Sequence, residues 1–309
     1  MSIRKQIRKF FTPGLNKILS TAAKRGDKRF LVVWNRGLGD IALGLYAFVD
    51  RVRQYIPDAS ITFLTRSELK DAFSLLGGVE VIAVPSLERK DGTPDVPTTS
   101  NILAGMGINT ETFDIILDKV DPKGELKDCW GRLIPRLKWR GEYDSLLKKF
   151  TMIEASRNYI GAHVSTETEQ FYGYRKDWPA DKWKELFEKL SKETDTKIIL
   201  FGISKREPFD FPTVTDLRGE TTLLEMLSII KNRCGTLIAP DGGVLSIAYY
   251  LDVFFPITVI SLWGEANQGI MKQAVPSPNK ALIHIPIIGK DKDISKISVN
   301  EVLSKIKLN

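Results

Sequence analysis

The sequence is poor in the residues that build covalent or metal frameworks. It holds two cysteines, Cys129 and Cys234, and two histidines, His163 and His284, each far from its fellow. Isolated cysteines support neither a disulfide network nor a thiolate zinc site. Histidines without ligands at metal spacing support no metal centre, so no metal or other cofactor is expected. The chain also lacks any run of about 18 apolar residues, so nothing in it is expected to span a bilayer. No uninterrupted apolar stretch follows the basic start, which argues against a secretory signal. A reducing cytoplasm is the expected setting.

Charge of one sign is scarce everywhere except at the start. Residues 1–30 carry nine Lys/Arg against the single acid Asp27, more than the whole net charge of +7, so the rest of the chain is slightly acidic. The basic pI of about 9.2 therefore describes an arm, residues 1–27, and no nucleic-acid partner is expected. Within the arm Ile3, Ile7, Phe10, Phe11, Leu15, Ile18 and Leu19 recur at helical spacing. A basic amphipathic helix suits an anionic membrane surface. A solvated extension, or a helix packed on its own domain, fits the same pattern.

A chain of 309 residues, 43% hydrophobic and 27% charged, has room for two globular domains. Short apolar runs alternate with amphipathic stretches. Strands are expected at 30–34, 61–65, 81–84 and 114–117, with helices over 40–55 and 67–75. The Pro-, Thr-, Asp- and Gly-rich stretch 85–109 reads mainly as loop. The pattern restarts near Asn158, with strands at 159–164, 197–201, 236–239 and 257–262. Helices are expected over 181–193, 223–231, 244–251 and 299–306. Trp183, Leu186, Phe187 and Leu190 make a core-facing stripe on the first of these. Such alternation implies parallel sheets covered by helices. The expected division is two domains, 28–156 and 157–309, with the break near 150–157. Ligands of open α/β folds bind at the carboxyl ends of the strands, so two such sheets would face a cleft.

Three strand-to-helix turns carry chemistry. In Arg36-Gly37-Leu38-Gly39-Asp40 two glycines let backbone approach a ligand. Gly37-x-Gly39-x-x-Ala42 also satisfies the loose dinucleotide fingerprint, and Arg66 ends the next strand where an NADP-type arginine would sit. Asp40 argues against that cofactor, because a carboxylate at the helix start occupies the place of a pyrophosphate. Asp40 could accept a proton, or could simply cap the helix; the residues leave both open. In the second turn Ser165 and Thr166 follow His163, and Lys176-Asp177-Trp178-Pro179 opens a helix. Hydroxyls, backbone amides and a lysine can hold phosphate oxygens, while His163 reads as a buried histidine. In the third, Asp241-Gly242-Gly243 opens a helix, where amides can face an anion and Asp241 can accept from sugar hydroxyls. An ordinary capped turn has the same residues. Asp291-Lys292-Asp293 reads as a solvated loop rather than a metal site.

Each motif alone is common; their combination in this order is not. Over residues 29–305 the chain resembles family 9 glycosyltransferases, the heptosyltransferases of lipopolysaccharide core assembly. The features that carry the likeness are the strand followed by Gly-x-Gly-Asp, the strand ending in His, Lys-x-Trp-Pro, and the Asp-Gly-Gly that stands for Asp-[Ser/Thr]-Gly. The resemblance implies a GT-B α/β fold of two Rossmann-like domains and an inverting, metal-independent sugar transfer. It implies Asp40 as general base, beside the acceptor-side loop of Arg36, Gly37 and Gly39. On the donor side it implies Ser165, Thr166, Lys176, Glu207, Asp241, Gly242, Gly243 and Ser246. The implied partners are a nucleotide sugar (ADP-heptose or similar) and a glycolipid or saccharide acceptor at the inner face of the cytoplasmic membrane. Gly242 replaces the usual hydroxyl residue, Ser246 a usual histidine and Tyr46 a common proline, and the loop from Thr166 to Lys176 is long. An NADP-dependent oxidoreductase and a non-catalytic binding protein of the same fold are the alternatives.

Overall fold

The computed structural model describes residues 14–89, 94–127, 129–156, 159–166, 175–193 and 196–307. The chain forms two compact units: residues 1–36 with 43–129, and residues 37–42 with 130–309.

In the first unit α1 (Leu15–Arg25) ends at Gly26, whose left-handed backbone (φ 75°) lets its N–H close the last turn. The helix buries Ile18, Leu19 and Ala22 in its own unit, so this part of the arm's apolar stripe is already covered. Ile3, Ile7, Phe10 and Phe11 lie outside the described residues. Next come β1 (Arg29–Trp34) and, after α2 (Leu38–Asp40), which belongs to the second unit, a π turn over Ile41–Leu45 that runs on into α3 (Tyr46–Tyr55). Then follow β2 (Ser60–Arg66), α4 (Lys70–Ser74), β3 (Glu80–Val84), α5 (Val96–Gly105), β4 (Ile115–Leu117) and α6 (Pro122–Lys127). The strands pair in parallel in the order β3-β2-β1-β4. Leu31, Val33, Leu64 and Val84 on one sheet face pack with Leu103 of α5. The stretch expected as loop thus contains a helix: the Asp95 carboxylate accepts the Thr98 N–H at 2.9 Å and Pro97 stands in the first turn. Asp114 ties the start of β4 to β1. It accepts the N–H groups of Lys28 and Arg29 at 3.0 Å each and pairs with the Arg29 guanidinium at 2.6 Å.

In the second unit a 3₁₀ segment over Gly141–Lys149 precedes β5 (Tyr159–His163), α7 (Ala180–Glu193), β6 (Ile198–Phe201) and β7 (Val214–Asp216). There follow α8 (Leu223–Arg233), β8 (Cys234–Pro240), α9 (Gly243–Tyr249), β9 (Ile257–Trp263), α10 (Gly269–Gln273), β10 (Leu282–Ile288) and α11 (Val299–Leu303). The six strands are parallel in the order β10-β9-β8-β5-β6-β7. The stripe of α7 is fully buried, and Trp183 stacks edge-on against Trp178 at 5.0 Å.

The units divide after Cys129, earlier than the sequence break near 150–157, because the segment from Trp130 onward is fastened to the second unit. The Asp144 carboxylate accepts from Trp139 Nε1 (3.1 Å), Lys231 Nζ (2.9 Å) and Asn232 Nδ2 (2.9 Å). Arg136 and Lys138 both reach Asp252, at 3.1 Å each.

Strand order sets where a ligand can lie. In the second sheet β5, β6 and β7 run outward to one side, and β8 returns to pair with β5 before β9 and β10 run to the other. The order therefore reverses between β5 and β8, and a crevice opens at the carboxyl ends of strands at such a switch point. The first sheet reverses between β1 and β4.

Candidate active site

The first switch point is built from the end of β1. Asn35 is fully buried and its Nδ2 donates to the Glu88 carbonyl at 3.0 Å. The Arg36 guanidinium lies 5.8 Å from the centre of the Trp34 ring. Gly37 is the residue before α2 and Asp40 the third residue inside it, so Asp40 is not the capping residue that the sequence allowed. A Cβ placed on Gly37 would stand 3.0 Å from Asp40 Oδ2, so the carboxylate curls back against the helix start. There the partial positive charge of the backbone N–H groups accommodates it. The helix then widens into the π turn at Ile41–Leu45 before Tyr46 opens α3. Single π turns within helices concentrate at functional sites.

The segment 37–42 belongs to the second unit, where it meets the start of α9. A Cβ on Gly243 would fall 2.6 Å from Leu38 Cβ and 2.8 Å from the Gly39 nitrogen. A Cβ on Gly39 would lie 3.5 Å from Gly243 Cα and 3.9 Å from Ser246 Oγ. Protein backbone therefore covers the glycine turn that a dinucleotide would have used. Arg66 is buried, with Nη2 on the Arg36 carbonyl at 3.3 Å, rather than posted for a 2′-phosphate.

At the second switch point β5 ends in His163. Burial pushes its pKa down to about 4, so the ring is neutral at neutral pH. The Ser165 hydroxyl lies over the end of β6, 3.0 Å from where a Gly202 Cβ would stand. The Thr166 N–H donates to both oxygens of Asp177, at 2.8 and 3.0 Å. Trp178 anchors this segment from below, with its Nε1 on the Ile297 carbonyl at 3.1 Å. These contacts bring Lys176 to the end of β8, where its Nζ meets Asp241 Oδ2 at 2.8 Å. The two side chains are only 13% and 12% exposed, so this ion pair is largely shielded from water.

The surroundings of Asp241 are close-fitting. Its N–H donates to the Leu262 carbonyl at 3.0 Å. Gly269, at φ 48°, is placed so that a Cβ would stand 2.8 Å from Asp241 Oδ1 and 3.2 Å from the Trp263 ring. Trp263 is fixed in turn: its Nε1 donates to Ser261 Oγ at 2.6 Å, and Ser261 Oγ lies 2.7 Å from His284 Nε2. Burial lowers the His284 pKa to about 4. Gly242 is extended (φ −174°), and a Cβ on it would stand 3.1 Å from the Thr166 methyl group. Thr166 thus fills the space where a side chain at 242 would go. The Ser246 hydroxyl donates to the Gly242 carbonyl at 3.2 Å, within its own helix.

The structure therefore gathers Ser165, Thr166, Lys176, Asp241, Gly242, Gly243 and Ser246 around the β5/β8 switch point. Glu207 lies on the loop after β6. Its carboxylate is 57% exposed and 4.0 Å from Lys184, while its carbonyl accepts Arg218 Nη2 at 2.7 Å. Asp177 and Gly269 are site residues that the sequence reading passed over. Asp177 lay within the quoted Lys-x-Trp-Pro, and Gly269 opens a fourth strand–turn–helix. Among the described residues no group of three or more His, Cys, Asp or Glu could hold a metal ion. Asp293, the second acid of Asp291-Lys292-Asp293, caps the next turn by accepting from Ser295 N and Oγ at 2.9 and 2.7 Å.

Two parallel-sheet α/β units, with a glycine turn and a carboxylate after β1 and again after β8, make a GT-B glycosyltransferase fold. Solved structures with this fold include ADP-heptose LPS heptosyltransferase II of E. coli (18% identity, TM-score 0.57, covering 89% of this chain and 96% of that one). A family 9 glycosyl transferase of Veillonella parvula is similar too (15% identity, TM-score 0.57, covering 90% and 95%). No curated protein matches the sequence. The profile of glycosyltransferase family 9 (heptosyltransferase) matches residues 137–301, more than half the chain. The chain belongs to glycosyltransferase family 9. It is a glycosyltransferase, and the oxidoreductase reading of Gly37, Gly39 and Arg66 falls.

Proposed function

We propose that the chain moves a sugar from a nucleotide sugar onto a hydroxyl of a lipopolysaccharide-core-type saccharide or glycolipid, with inversion. ADP-heptose, named for the E. coli protein of like fold, is the proposed donor. The observation that carries the reading is the cluster at the β5/β8 switch point: a lysine, two hydroxyl residues and an acid brought together from segments distant in sequence. Lys176, Ser165 and Thr166 hold the diphosphate, and Asp241 accepts from donor hydroxyls. Asp40 takes the acceptor's proton. The acceptor oxygen then bonds to the anomeric carbon as the bond to phosphate breaks, and the nucleoside diphosphate departs with its negative charge offset by Lys176.

Incubating the purified chain with ADP-heptose and a heptose-free core acceptor tests this. Release of ADP together with a product of inverted anomeric configuration is expected, and should persist in EDTA. Binding without turnover would favour the non-catalytic alternative. Activity restored only by magnesium or manganese would place a metal on the leaving group. Peripheral attachment to the inner face of the cytoplasmic membrane is assigned to residues 1–13, since α1 is packed on its own unit. Deleting them should abolish salt-sensitive binding to anionic vesicles.

A further inference from the structure

The ion pair between Lys176 and Asp241 joins two groups that the donor-site reading assigns to different parts of the ligand. From the geometry we infer that Asp241 is an internal competitor for the lysine, selecting against the nucleoside diphosphate product in favour of the intact nucleotide sugar. This inference rests on the donor-site reading.

Both ends of the pair are fixed through backbone. Lys176 adjoins Asp177, which holds the Thr166 N–H, and Trp178, which is anchored on the Ile297 carbonyl. Asp241 is held by its N–H on the Leu262 carbonyl and flanked at Oδ1 by Gly269. The pair therefore opens and closes by side-chain movement alone. A diphosphate that reaches Lys176 must displace a carboxylate already in contact at 2.8 Å, and it brings its own negative charge toward that carboxylate. Like charges in a poorly hydrated site repel. An intact nucleotide sugar offsets this, because its sugar hydroxyls can donate to Asp241 once the lysine has left. A nucleoside diphosphate has lost the transferred sugar and, with it, the hydroxyls next to the diphosphate's outer phosphate. After transfer, Asp241 recaptures Lys176 and weakens the hold on the product.

Calorimetry on the full chain, titrating ADP with UDP and GDP in parallel, tests this in wild type, Asp241→Asn, Lys176→Met and the double variant. Asp241→Asn should bind ADP about tenfold more tightly than wild type, a difference of about 1.4 kcal/mol, and show correspondingly stronger ADP inhibition of turnover. It should gain no affinity for ADP-heptose. Lys176→Met should bind ADP more weakly than wild type, and the double variant should bind it more tightly than Lys176→Met, because the uncompensated carboxylate is gone, yet more weakly than Asp241→Asn, because the lysine is gone too. That order separates competition for the lysine from a general structural change. ADP affinity in Asp241→Asn equal to or below wild type overturns the inference while leaving the donor site standing. Absence of binding of all three diphosphates to the folded wild-type chain overturns the donor-site reading itself.

Discussion

The two switch points use the same parts in opposite order. After β1 the glycines come first and the acid follows them, so Asp40 lies inside the first turn of a helix. After β8 the acid comes first and the glycines follow, so Asp241 directly follows the strand and faces a lysine from the neighbouring turn. Placement by one or two residues thus gives two carboxylates different company. A helix start holds negative charge with partial charges spread over its N–H groups. A lysine in contact holds it with a full charge and a directed hydrogen bond. The first arrangement suits a group that must receive a proton, the second a group that must bind and let go.

The comparison breaks first at Asp40. Asparagine keeps the shape at the third helix position, so Asp40→Asn should leave stability and donor affinity near wild type while turnover falls by about 10²–10⁴-fold. Wild-type turnover would remove Asp40 from the mechanism. Next in size is the lysine. Lys176→Met strands a mostly buried carboxylate, and unfolding in denaturant should show a loss of about 3 kcal/mol. Asp241→Asn in the same chain should recover most of it; a single variant as stable as wild type would mean that the pair contributes no shielding.

The glycines separate the turns further. At Gly243 a Cβ meets Leu38 Cβ and the Gly39 nitrogen, so Gly243→Ala should cost about 2 kcal/mol, and Leu38→Ala, which keeps the clashing Cβ, should not restore it. At Gly242 the obstacle is one methyl group of Thr166 at 3.1 Å. Gly242→Ala should therefore cost roughly 1 kcal/mol or less, relieved by Thr166→Ser. Equal costs at the two positions would contradict the geometry.

The smallest effect divides the units by pH. Both histidines belong to the second unit, and burial holds each folded pKa at about 4 against an ordinary 6.5. The unfolded chain takes up those protons first, so the second unit should lose stability as pH falls through 6.5 toward 4. The loss is about half a kcal/mol per histidine between pH 7 and 6, and grows below that. In the first unit the Arg29 guanidinium and two backbone N–H groups hold Asp114 well below the usual carboxylate range. Its contribution is present above the unfolded pKa near 4 and goes only as pH falls below that value. Hydrogen exchange followed across pH should show the second unit loosening first.

Much of this architecture was legible in the sequence, and what was hidden has physical causes. The eight expected strands all form, because continuous apolar runs between turns have few other places to go in a parallel sheet. β7 escaped notice at three residues, and Pro286 disguised β10, since proline within a run argues against a central strand. β10 is an edge strand, where proline is tolerated. α5 was hidden by Pro97, Thr98 and Thr99, poor helix formers, although Asp95 is a helix-start signal. The π turn at Ile41–Leu45 reads as ordinary apolar helix. In the site Thr166, Lys176, Asp241 and Gly242 were marked by local pattern. Their arrangement was not, because Lys176 and Asp241 are 65 residues apart and their pairing follows from the fold. Glu207, named on the family resemblance alone, lies on the loop after β6, with its carbonyl accepting from Arg218.

The fit of Gly243 against Leu38 also has a consequence over generations of mutation. Any single codon change that adds a side chain at 243 drives a carbon into Leu38 and the Gly39 backbone. The atoms it meets, Leu38 Cβ and the Gly39 nitrogen, are common to every ordinary residue at those positions, so no smaller side chain at 38 opens the space, and only a shift of the 38–39 backbone does. Descendants of this sequence should therefore keep glycine at 243 whatever side chain stands at 38.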